Sequence, residues 1–82
     1  MTEISLKKST AIHLIQFKLI VLRTEIEGIL ERWKEELAQT FLKKARDGTY
    51  LEAENDAIDL RQLLKEELEM QSLLQEVGAP EE

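Results

Sequence analysis

The chain has 82 residues, 17 acidic and 11 basic, for a net charge of −6, and it contains no cysteine. That length supports one small domain with a marginal core, and the lack of cysteine excludes a disulfide framework or a thiolate metal site. The acidic balance argues against a dedicated nucleic-acid binder, because that affinity depends on Lys and Arg at phosphates.

One proline and three glycines leave few breaks, and 34% charged residues suit long helices with wet outer faces. Val and Thr are sparse, and nothing beyond the first six residues alternates for long, so the expected class is all-α. Charge is unevenly spread: residues 1–34 carry +2 and residues 35–82 carry −8. The apolar run 11–22 is followed by no small-residue cleavage site and falls short of the ~20 residues that span a bilayer. A soluble, cytoplasmic protein is expected, and a membrane is not expected among its partners.

Residues 1–8 read as a flexible N-terminal arm, in which Ile4 and Leu6 alternate with polar neighbours. Ser9 and Thr10 are N-cap candidates for a first helix over about 9–46. Its organising feature is a stripe of Ile12, Ile15, Leu19, Leu22, Ile26, Ile29 and Trp33, at alternating steps of three and four. Such spacing fills the a and d positions of three heptads and demands a partner helix. Leu37, Phe41 and Ala45 extend the stripe at steps of four, and Gly28 falls off it, so the helix is expected to pass through that glycine.

Lys43, Lys44 and Arg46 suit the negative end of this helix, and Gly48 is the expected left-handed residue after it. Thr49 and Glu52 have the spacing of a capping box, which places the turn at 47–49 and a second helix at about 50–77. The second stripe comprises Ala53, Ala57, Leu60, Leu64, Gln71 and Leu74, flanked by Leu63, Met70 and Val77. Gly78 and Pro80 end it, with 79–82 expected as a disordered tail.

These elements make an antiparallel helical hairpin with a longer first helix. A tight turn at 47–49 sets facing residue numbers to sum to about 96, so the second helix runs out near residue 18. Opposite the first stripe lie Leu14, Phe17, Ile20 and Val21, leaving residues 11–22 apolar almost all round. Helices of that kind are buried on several sides. The expected assembly is a homodimer or higher homo-oligomer of four-helix-bundle or coiled-coil form. Its interface is assigned to Ile12, Leu14, Ile15, Phe17, Leu19, Val21, Leu22 and Ile26.

Motifs for chemistry are absent. His13 is the only histidine and has no Glu-x-x-His companion, so no metal or other cofactor is expected. Glu35, Glu36, Glu66, Glu67 and Glu69 read as solvated helix faces, and no Gly-rich phosphate loop or catalytic triad is present. Residues 56–61, following an aromatic turn, resemble part of the helical-hairpin UVR motif of nucleotide-excision-repair proteins. The spacing from Tyr50 to Arg61 departs from that motif by about a helical turn, and no site is carried over. The expected function is therefore a small, non-enzymatic interaction or adaptor module. The alternative is a regulatory, antitoxin or inhibitor-type subunit whose apolar N-terminal segment docks on another protein.

Overall fold

A computed structural model describes residues 2–78, with side chains from residue 8 onward. Among the described residues the protein is all-helical: α1 (Thr2–Arg32), α2 (Ala38–Arg46) and α3 (Glu54–Gly78). The molecule is elongated, 56 Å by 21 Å by 18 Å.

The stripe on α1 does what its spacing implies. Ile15, Leu19, Leu22, Ile26 and Ile29 are all buried, and α1 passes through Gly28 without interruption. A Cβ at Gly28 would meet no atom within 4 Å. The backbone of residues 2–8 is helical and continuous with α1, so the segment expected as a separate arm belongs to the first helix. The expected tail at 79–82 lies outside the described residues.

The first correction is to the long first helix, which stops at Arg32 and restarts at Ala38. Lys34 takes a left-handed φ of +55°, its N–H bonding the Glu31 carbonyl at 3.1 Å while the Glu35 N–H reaches the Leu30 carbonyl at 2.9 Å. These two bonds form a Schellman motif, with lysine where glycine is usual. Leu37 then stands at the N-cap of α2 in extended conformation, with no side-chain cap. Residues 33–37 form an elbow that folds α2 across the end of the α1–α3 pair.

There Phe41 is completely buried, together with Leu22, Ile26, Ile29, Ala53, Ala57, Leu60 and Leu63. Small residues at Ala53 and Ala57 leave room for the ring. Packing an amphipathic segment this way is where most helical stability comes from.

The second junction also differs from expectation. Gly48 has φ +87°, a conformation that costs other L residues about 1–2 kcal/mol. Thr49 does not cap a helix with Glu52. Asp47 instead accepts both the Thr49 N–H at 2.9 Å and its hydroxyl at 2.6 Å, an Asx-type turn. Glu52 sits in a turn with φ +62°, and α3 begins two residues later.

Because residues 33–53 are used by the elbow, α2 and this turn, the hairpin closes between Trp33 and Asp56. Arg32 faces Asp56 and Arg23 faces Glu67, so facing numbers sum to 88 and 90. At that register Gly78 comes level with about residue 11, two helical turns beyond the point expected from a turn at 47–49.

Candidate interaction surface

The new register redistributes the residues assigned to an oligomer interface. Ile15, Leu19, Leu22 and Ile26 are buried within the chain's own α1–α3 pair, and Ile12 is half-buried. They are core before any second copy arrives. Leu14 and Phe17 lie on the other side of α1 and are 64% and 65% exposed. Ile20 joins them at 61%, and Val21, half-buried, completes the patch.

Helical geometry explains the division. Leu14, Phe17 and Val21 are spaced by three and four, so they form a second stripe. It runs on the face away from Ile15, Leu19 and Leu22. One partner helix covers one stripe, and among the described residues no third element reaches the other. Elsewhere the exposed apolar side chains Leu37, Leu51, Ile58, Leu68 and Leu73 are separated along the chain, as isolated apolar surface residues commonly are.

The opposite end is closed by polar ties around an aromatic cluster. The rings of Trp33, Phe41 and Tyr50 have centroids 5.1–5.9 Å apart, within the range for favourable aromatic pairs. Asp56 accepts Trp33 Nε1 at 2.8 Å and a bifurcated contact from Arg32 Nη1, whose distances to its two oxygens are 2.7 and 2.8 Å. These donors, the indole first, hold its carboxyl below the ordinary range.

Glu35 was expected on a solvated face but is drawn inward, its side chain 10% exposed. Its Oε2 accepts Lys44 Nζ at 2.8 Å and the Tyr50 hydroxyl. Lys44 and then Tyr50 lower the Glu35 carboxyl, while Glu35 in turn raises the Lys44 amine and the Tyr50 phenol. Neither this cluster nor the Asp56 site is visible in the sequence, because only the elbow brings Glu35 back over Lys44. Periodicity alone leaves Glu35 nine residues from Lys44 on a straight helix.

Along the helix pair, Arg23 Nε meets Glu67 at 2.9 Å and Lys18 lies 4.0 Å from Glu66. The four ion pairs among the described residues involve none of Glu25, Glu27 or Glu31. Also among the described residues, no three His, Cys, Asp or Glu side chains cluster as a metal site, and no helix is long and apolar enough to cross a membrane. His13 is exposed on α1. Comparison with family models, curated proteins and solved structures finds no match to this chain.

Proposed function

We propose that this protein is a non-enzymatic helical adaptor of the cytoplasm that self-associates through the outer face of α1, two copies pairing antiparallel across Phe17. The observation that carries the reading is the stripe of Leu14, Phe17, Ile20 and Val21, three of whose side chains leave more than 60% of their surface in water. Full burial of each large apolar side chain is worth about 1.5–3 kcal/mol, a strong drive for so small a fold.

Charge favours a second copy as the occupant. Basic Lys7 and Lys8 precede the stripe, and acidic Glu25, Glu27 and Glu31 follow it. Two-fold pairing centred on Phe17 carries position 7, a lysine, opposite position 27, a glutamate, so a basic position faces an acidic one at each end of the pair. Such an interface is isologous, with the same patch on both subunits. It brings two α1 and two α3 helices together as a four-helix bundle.

Size-exclusion chromatography with light scattering tests this on the wild type and Phe17→Glu. The wild type is expected at twice the chain mass of 9.5 kDa, and the variant at that mass with unchanged helicity. A folded wild-type monomer at high micromolar concentration would refute the reading and favour docking on a foreign protein.

A further inference from the structure

We propose that the elbow at residues 33–37 is a hinge through which two copies of this chain exchange their α2–α3 units. The proposal stands apart from the outer face of α1, since it concerns a different part of the fold and a different pairing.

Nothing local to the elbow stops a helix. The sequence Trp33-Lys34-Glu35-Glu36-Leu37 has no glycine or proline, and Lys and Glu are good helix formers. The stop is made with Lys34 at φ +55°, where a side chain is strained, and the restart has Leu37 as an N-cap without a side-chain bond. What holds the break comes from elsewhere in the chain: Asp56 on Trp33 and Arg32, and Lys44 and Tyr50 on Glu35. Local preference and tertiary contact therefore favour different backbones over these five residues.

Straightening resolves the local conflict. Residues 33–37 would join α1 and α2 into one helix, Lys34 would return to helical φ, and Leu37, now 64% exposed, would rejoin the step-of-four series between Trp33 and Phe41. Phe41 is sealed among Ala53, Ala57 and Leu60, so α2 carries α3 with it as it swings away. That movement uncovers Leu22, Ile26 and Ile29 on α1. The surface that fits them is α3 of a second chain undergoing the same opening. Reciprocal exchange restores the core contacts between chains and leaves the hinge as the main difference. Short, strained hinges are the setting in which such swapping arises.

Cross-linking between differently tagged chains tests the exchange. One population carries Arg23→Cys and the other Glu67→Cys, positions whose side chains meet across α1 and α3. Both also carry Phe17→Glu, which removes pairing through the outer face. After joint incubation at high micromolar concentration, a short bis-maleimide traps neighbours. A chain bearing both cysteines, cross-linking within itself when dilute, reports that the variants fold.

Exchange predicts an inter-chain product between the two tags. Tyr50→Phe should raise its yield by loosening Glu35. Lys34→Gly should lower it about tenfold, because glycine relieves the bent form in each of the two closed chains that must open to exchange. Absence of the inter-chain product, or equal yields from Lys34→Gly and Tyr50→Phe, would overturn the proposal.

Discussion

The two ends of this molecule solve the same problem with different means. Around α2, the three helices and the rings of Trp33 and Tyr50 enclose Phe41, and Asp56 and Glu35 tie the connecting segments down. Toward the N-terminus of α1, two helices lie side by side, and among the described residues one of the two apolar stripes on α1 has no cover. A third helix of only nine residues separates these outcomes. One end is a closed core, whereas the other leaves a stripe exposed, so under the proposed pairing stability at the first should be a property of the chain and stability at the second a property of concentration.

The largest effect expected from breaking the contrast is at the closed end. Phe41→Ala should cost about 3–5 kcal/mol, since a fully buried ring leaves a cavity among small neighbours that cannot collapse into it. Denaturant unfolding followed by Trp33 fluorescence checks this, and the loss should be independent of protein concentration. A second, smaller effect belongs to the turn after α2. Gly48→Val should destabilise by about 1–2 kcal/mol through its positive φ, read from the shift in the same curves.

What the sequence could and could not reveal follows the same division. The stripe from Ile15 to Ile29 was legible because a spacing of three and four has one common structural meaning. The elbow was not, since residues 33–37 contain no breaker and Phe41 continues the stripe at a helical step. The bend exists because Phe41, Trp33 and Tyr50 pack better folded across α3 than along a straight helix, and that is a long-range comparison no local pattern contains. From this one difference came the displaced register and the reassignment of Ile15, Leu19, Leu22 and Ile26 from a subunit interface to the chain's own core. At Thr49 the motif was present, but Asp47, two residues away, took both of its donors. The outer stripe of Leu14, Phe17, Ile20 and Val21 was readable throughout, because exposure follows from having one partner helix.

Acid should sharpen the comparison with the smallest change. The Glu35 and Asp56 carboxyls lie below their ordinary values of 4.5 and 3.8. Their contribution is complete above those values and is lost as pH falls through and beneath them. Lys44 and Tyr50 are shifted upward from 10.5 and 10.0, so theirs is present below those values and lost on the alkaline side. Near-ultraviolet circular dichroism from the aromatic cluster should therefore decline below about pH 4, with far-ultraviolet helicity from the α1–α3 pair declining later.

Hydrogen exchange resolved by residue, followed across a range of protein concentrations, tests the central claim most directly. Amides of residues 12–24 should gain protection as concentration rises, because the proposed pairing covers that end with a second copy. Those of residues 41–45 and 57–63 should reach their protection already in dilute solution, because the chain encloses them itself. Protection that is independent of concentration along the whole of α1, or that rises equally at both ends, would contradict the account.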